Sequence, residues 1–170
     1  ITTFNAGGMG ARPGLDGLSA TSFPAGVRNV PLEIIEAVAP LVFWRKTLRA
    51  GSGGAGRHRG GDGQVVEVGH RHGEAFSITA TFERIDHPAR GREGGHDGAP
   101  GVVGLKSGAL LKAKGRQLIP AGDRLVAQMP GGGGIGDPRE RDRALVARDL
   151  HEGRISAESA RLVYGFEPGH

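Results

Sequence analysis

The sequence predicts an α+β fold: a β-rich domain with long glycine-rich loops and two short C-terminal helices. Three observations predict it. Apolar runs of strand length, rich in β-branched and aromatic residues, fill the middle of the chain, as in QVVEVG (64–69) and FSITATFER (76–84). Glycine, 32 of 170 residues, falls in bursts between these runs and lacks the three-residue period of collagen. The tail then changes to helix punctuation, with Asp137 or Asp142 placed to cap one helix and Ser156 to cap a second. A chain of this length buries roughly two-thirds of its unfolded surface, enough for one domain. A single domain over 1–170 is therefore expected, with a Gly-rich segment at 1–30, a β-rich body at 31–130 and a helical tail at 131–170.

In chain order, Thr2 to Asn29 is too densely punctuated by glycine and proline for a regular element. Leu32 to Val38 reads as a helical turn, with Pro31 suited to the first helical position and Pro40 ending it. LVFWRKTLR (41–49) reads as a strand, with a helix as competitor. QVVEVG and FSITATFER follow as strands joined by the turn HRHGE (70–74). HPARGREGGHDGAPG (87–101) is a long connection. GALLKAKGRQLIPAGDRLVAQMP (108–130) reads as strands separated by turns at Lys114-Gly115 and at Pro120 to Gly122. The tail carries one helix to about His151, stopped by Gly153, and a second capped by Ser156.

Composition removes several function classes. The formal charge of +4 arises from 22 Lys and Arg against 18 Asp and Glu spread along the chain, and aromatics make up 5%. The clustered basic face with stacking rings used by nucleic-acid modules is missing, so no nucleic-acid partner is expected. Without cysteine there is no disulfide, thiolate metal site or cysteine nucleophile. The longest apolar run, Ala37 to Trp44, is broken by Pro40 and far shorter than a membrane span. No membrane partner is expected, and a cytoplasmic location is. The chain opens on Ile1 inside a Gly-rich motif, which reads as a piece of a longer protein.

The motifs are informative mainly through their context. Gly51, Gly53 and Gly56 form a G-x-G-x-x-G, but RHRGGDG follows where a dinucleotide fingerprint requires a helix. PGGGGIGDP (130–138) lacks the Lys-Ser/Thr of a phosphate loop, leaving a tight chain reversal or a nest of backbone N–H groups. Ser52 in GSGGAG does not match a nucleophile elbow. His70 and His72 would share one face of a strand, but no acidic third ligand stands at a familiar spacing. No metal is assigned; those two histidines are the candidates should one bind. Arg12, Arg57 and Arg59, carried on glycine-rich backbone, suit bidentate recognition of carboxylate or phosphate; equally, each could pair with a neighbouring carboxylate and lock its loop. Glu33 and Glu36 share a helical face, as acid/base groups or as a solvated face.

In series, GGMGARPGLDGLSAT (7–21), NVPLEIIE (29–36), SGGAGRHRGGDG (52–63), PGGGGIGDPRERD (130–142) and DLHEGRISAESARLVYGF (149–166) resemble the carboxy-terminal part of the hydantoinase B/5-oxoprolinase family. That family includes N-methylhydantoinase B subunits and the acetone carboxylase alpha subunit. The resemblance implies a subunit of an ATP-dependent enzyme that opens cyclic amides such as 5-oxoproline or hydantoins, or that carboxylates a ketone. It implies a hetero-oligomer with a hydantoinase A/oxoprolinase-type subunit and the rest of the B subunit. ATP and a divalent cation would then be held by the partner, with none bound by this chain alone, and the isolated chain would be inactive. Gly51 departs from the pattern, which has an aspartate just before SGG.

On this reading Arg12, Asp16, Arg57 and Arg59 bring glycine-backed loops to a shared cleft or interface. With Gly53 and Gly54 they would bind an anionic group or the phosphorylated amide oxygen during ring opening. Glu33 and Glu36 are further candidates for acid/base work. Arg59→Ala is then expected to cut ATP-coupled turnover with the fold intact. A non-catalytic interaction module is the competing expectation, and it requires each charge to be buried beside its own carboxylate.

Overall fold

The computed structural model describes residues 2–22, 25–27 and 30–167. Ile1 and Asn29, ends of two segments singled out above, lie outside the described residues. In chain order the elements are helix α1 (Leu32–Val38), strands β1 (Leu41–Leu48), β2 (Gln64–His70), β3 (Phe76–Thr81), β4 (Val102–Leu105), β5 (Lys114–Ile119) and β6 (Arg124–Gln128), a 3₁₀ turn (Pro138–Glu140), and helices α2 (Arg143–His151) and α3 (Ala157–Leu162). This is the mixed α+β, β-rich architecture that the sequence predicts.

The strands form two antiparallel layers. β1, β2, β6 and β4 make a four-stranded sheet in that order, and β3 and β5 make a two-stranded ribbon. Val68, Val103 and Leu125 from the sheet pack with Ile119 from the ribbon, with Phe43, Phe76 and Ile78 against them. β2 is buried from Gln64 to Gly69, with Gln64 and Glu67 enclosed along with its valines. α1 follows Pro31, which is the N-cap residue and not the first helical residue, and Glu36 Oε1 accepts from Phe43 N at 2.8 Å to fix the entry into β1.

Two elements differ from the sequence reading. Lys114-Gly115 does not turn the chain. Gly115, with φ +92°, lies inside β5 opposite Ala80, and the preceding stretch 108–113 makes no strand beyond an isolated bridge from Leu110 to Gly104. Leu110 is 77% exposed, so its apolar letters did not signal burial. Conversely, β4 is only four residues long and hidden among flanking glycines.

In the tail, both candidate aspartates cap. Asp137 accepts from Arg139 N at the 3₁₀ turn and Asp142 accepts from Ala144 N at α2, each at 2.8 Å, while Ser156 accepts from Ser159 N at 3.0 Å. Val146, Ile155, Ala160 and Tyr164 form a second small core that rests on Ala55 of the glycine-rich loop.

The glycine-rich segments run side by side and are cross-linked by backbone hydrogen bonds. Gly8 N donates to Pro130 O, Gly61 N to Met9 O, Gly132 N to Gly61 O, Gly54 N to Gly132 O and Gly134 N to His96 O, all within 2.9–3.0 Å except Gly54 N at 2.8 Å. The spacing is too small for side chains. A Cβ on Gly131 would sit 1.7 Å from Ser52 O, and one on Gly132 would sit 2.0 Å from Met9 O. Glycine is required here by close approach of backbones.

Candidate functional site

Where this bundle meets α2, a chain of alternating charges runs from the half-buried Asp16 into the interior. Asp16 comes from the first glycine-rich segment, Arg59 and Asp62 from the second, Arg141 from the residue between the 3₁₀ turn and the α2 cap, and Asp149 from α2. Arg141 holds Asp16 in a bidentate pair, Nη1 to Oδ1 at 2.8 Å and Nη2 to Oδ2 at 2.7 Å, and donates to Asp149 Oδ2 at 2.8 Å. Arg59 lies on the other side of Asp149, with Nε at 3.7 Å from Oδ2, and binds Asp62 through both terminal nitrogens at 3.0–3.1 Å. Arg59 is 3% exposed, Asp62 and Asp149 are 1%, and Arg141 is 2%.

Three of these charges, Asp16, Asp62 and Arg141, are further tied to backbone. Asp16 Oδ1 accepts from Arg59 N at 2.8 Å, Arg141 Nη1 donates to Arg57 O at 3.1 Å, and Asp62 Oδ1 accepts from Gly53 N at 3.0 Å. Asp62 N donates to Ser19 Oγ at 3.0 Å. Burial opposes ionisation of Asp16, but the Arg141 pair and the Arg59 amide outweigh it and hold the carboxyl below the ordinary aspartate range. Arg141 and Arg59 are disfavoured by burial and more than compensated by their carboxylates, so both guanidinium pKa values rise. Tyr164, 1% exposed beside them, is pushed up to about 12, chiefly by burial.

The predicted site residues are distributed unequally over this arrangement. Asp16 and Arg59 come together, through the Arg59 amide and through the shared network. Arg57 stays at the surface, with a 48% exposed side chain 3.2 Å from Glu140. Arg12 is exposed at the Arg12–Leu15 bridge. Gly53 and Gly54 do present amides to acceptors, but these are Asp62 and Gly132 O. Glu33 is exposed in the first turn of α1, and Glu36 is the acceptor for Phe43 N; α1 packs on β1, and neither glutamate joins the network. His70 ends β2 while His72 lies in the following turn. His70 Nδ1 accepts from the amides of His72 and Glu74 at 3.4 and 3.2 Å, so it braces that turn. Among the described residues no group of three or more His, Asp or Glu side chains is placed to hold a metal ion.

The arrangement can organise loops, but its guanidiniums are already saturated by this chain's own carboxylates. Arg59→Ala is therefore expected to destabilise the fold, because two buried carboxylates would lose a partner. The second glycine burst likewise offers no phosphate nest. The amides of Gly131, Gly132, Gly134, Ile135 and Gly136 donate to Ala99, Gly61, His96, His58 and Arg92 carbonyls. These residues do not fit ATP, and no step through a nucleotide is assigned to them.

Arg141, Asp149, Asp62 and Tyr164 are the network members that sequence reasoning missed. Asp62 stands three residues after Arg59, a spacing that could have flagged it. Arg141 and Asp149 sit in the charge-dense RERDRALVARD, where nothing marks which charges turn inward.

Residues 1–138 match the family described as Hydantoinase B/oxoprolinase. The chain is 38% identical to 5-oxoprolinase 1 of Arabidopsis thaliana over 135 residues, covering 76% of this chain and 10% of that protein. It is 32% identical to the caprolactamase subunit beta of Pseudomonas jessenii over 174 aligned residues, 93% of this chain and 29% of that one. The crystal structure of the ATP-dependent caprolactamase from Pseudomonas jessenii superposes with a TM-score of 0.77 at 27% identity, over 94% of this chain and 29% of the other. The chain thus spans less than a third of the length of these relatives. The match over residues 1–138 and the likeness to these relatives show that this chain belongs to the Hydantoinase B/oxoprolinase family.

Proposed function

We propose that this chain is the structural carboxy-terminal part of a hydantoinase B-type subunit, working with an ATP-binding A-type subunit in the ATP-dependent ring-opening hydrolysis of a cyclic amide such as 5-oxoproline or a hydantoin. Its own contribution is to hold glycine-rich loops at fixed positions within the assembled enzyme. The observation that carries this reading is the pairing of the buried Arg59 and Arg141 with Asp62 and Asp149 in the interior and with the half-buried Asp16. A charge network so enclosed fixes loop geometry, as preorganised sites require of their supporting residues. Arg12 and Arg57, which stay at the surface, are the members of the arginine-bearing loops able to face a substrate or a partner subunit.

The test is a reconstitution. The complete B-type subunit carrying this segment, combined with its A-type partner, is assayed for ADP formation and ring-opened acid with 5-oxoproline, hydantoins and caprolactam. Turnover dependent on ATP with at least one ring supports the proposal; ATP-independent turnover, or none with any ring, overturns it. In the same complex Asp149→Asn is expected to lower the yield of assembled enzyme while specific activity per complex is retained.

A further inference from the structure

The four-stranded sheet has a second face, opposite the core. Val68 and Leu125 point to the core, whereas Glu67, Val65, Val126 and Gln128 line a groove of about 520 Å³ on the other side. Arg45, Arg49 and Lys106 also line it, so cations outnumber the single carboxylate, Glu67; of these, Arg49 spends its Nη1 on the carbonyls of Pro100 and Met129, at 2.6 and 3.2 Å. Glu67 is 7% exposed and both its oxygens are bound, Oε1 by Arg124 Nη1 at 2.8 Å and Oε2 by Lys106 Nζ at 3.3 Å. It pairs with Lys106 on the groove wall and with Arg124 beside the groove. The Arg124 guanidinium is also stacked on Trp44, 3.8 Å from the ring centroid, and Trp44 itself is 56% exposed. Arg45 donates its Nε to Thr47 Oγ1 at 3.1 Å. Leu48 at the groove's end is also exposed.

We propose that this sheet face is a docking surface for an acidic polypeptide segment of a partner subunit, one presenting carboxylates beside an aliphatic side chain. Charge complementarity decides the occupant. A rim of cations around a floor that mixes Val65 and Val126 with Glu67 and Gln128 calls for carboxylates with aliphatic neighbours, and a second copy of this chain would bring like charges together. Exposed tryptophan and arginine are the residue types that dominate binding at protein interfaces. A small free anion would satisfy the rim and leave Trp44 and Leu48 in water. The proposal rests on the reading of this chain as one part of a hetero-oligomer, but its test needs no turnover, so the two can fail separately.

The experiment measures fluorescence anisotropy of a short labelled peptide, alternating glutamate with leucine and valine, titrated with the 170-residue chain. Binding is expected to weaken as salt rises. It should fall about tenfold in the double variant R45E/K106Q, be lost for the glutamine version of the peptide, and stay unchanged in R148E, a charge reversal on the α2 surface. Urea midpoints equal to the unmodified chain's certify each variant's fold. Equal binding by R45E/K106Q, equal binding of the glutamine peptide, complete competition by inorganic phosphate at matched concentration, or tighter binding of a single-stranded oligonucleotide would each overturn the proposal.

Discussion

Replacing Arg59 by alanine separates structural from catalytic use of the buried network. The side chain makes three hydrogen bonds to Asp62 and lies 3.7 Å from Asp149. Its loss leaves two buried carboxylates, each short of one cation. Breaking a buried pair from one side costs about 3–5 kcal/mol. Asp62 keeps the Gly53 amide and Asp149 keeps Arg141, which argues for the lower part of that range, about 3–4 kcal/mol. Against a typical total stability of about 5–15 kcal/mol this is a large fraction. With a urea slope of about 2 kcal/mol/M, the unfolding midpoint should fall by about 1.5–2 M. In the reconstituted enzyme the amount of folded complex should fall with it, while turnover per assembled complex stays close to that of the parent. A midpoint unchanged within about 0.3 M, about 0.6 kcal/mol at that slope, together with turnover per complex reduced a hundredfold or more, would refute the structural assignment and make Arg59 a substrate-binding residue.

Three further outcomes follow from the same geometry. Because the folded-state pKa of Asp16 lies below its unfolded value, its contribution is present above about pH 4 and is lost as pH falls through the folded value. Urea midpoints measured against pH should therefore drop on the acid side, and Asp16→Asn should remove much of that dependence; an identical acid limb in the variant would contradict it. Tyr164 has the opposite sign. With its folded pKa raised to about 12, its contribution is intact below about pH 10 and lost as pH climbs through the folded value, so Tyr164→Phe should flatten the alkaline limb of the same curve. Among glycines, Gly131→Ala places a Cβ 1.7 Å from Ser52 O and should cost about 3 kcal/mol or more, whereas Gly10→Ala, with nothing nearer than 3.8 Å, should stay within about 0.5 kcal/mol. Equal thermal midpoints for the two would show that the bundle is looser than its backbone contacts require.

The sequence made some of this legible and hid the rest for physical reasons. Strands with β-branched runs, such as β2 and β3, and helices with side-chain caps at Asp142 and Ser156 were readable because their signals are local. β4 was not, since four residues among glycines carry too little pattern, and Gly115 looked like a turn although its positive φ is accommodated inside a ribbon strand. The glycine bursts signalled special backbone without revealing that the segments pack on each other; that is a relation between residues far apart in sequence, such as Met9 with Gly132. The same holds for the site. Asp16 and Arg59 were identifiable as charges stranded in glycine, but their partners Arg141 and Asp149 lie in a tail that reads as an ordinary solvated helix. The network's closure on itself, which turns an apparent anion site into internal scaffolding, is visible only once those partners are in place.

Amide hydrogen exchange tests the central claim most directly, because the glycine-rich segments are held to be the rigid interior of this protein. The amides of Gly53, Gly54, Gly61, Gly132 and Gly134 are all donated inside the bundle. They should exchange slowly, with the protection of β2 and with release only on global unfolding. Exchange of those five amides at the rate of an open loop, while β2 remains protected, would contradict the account.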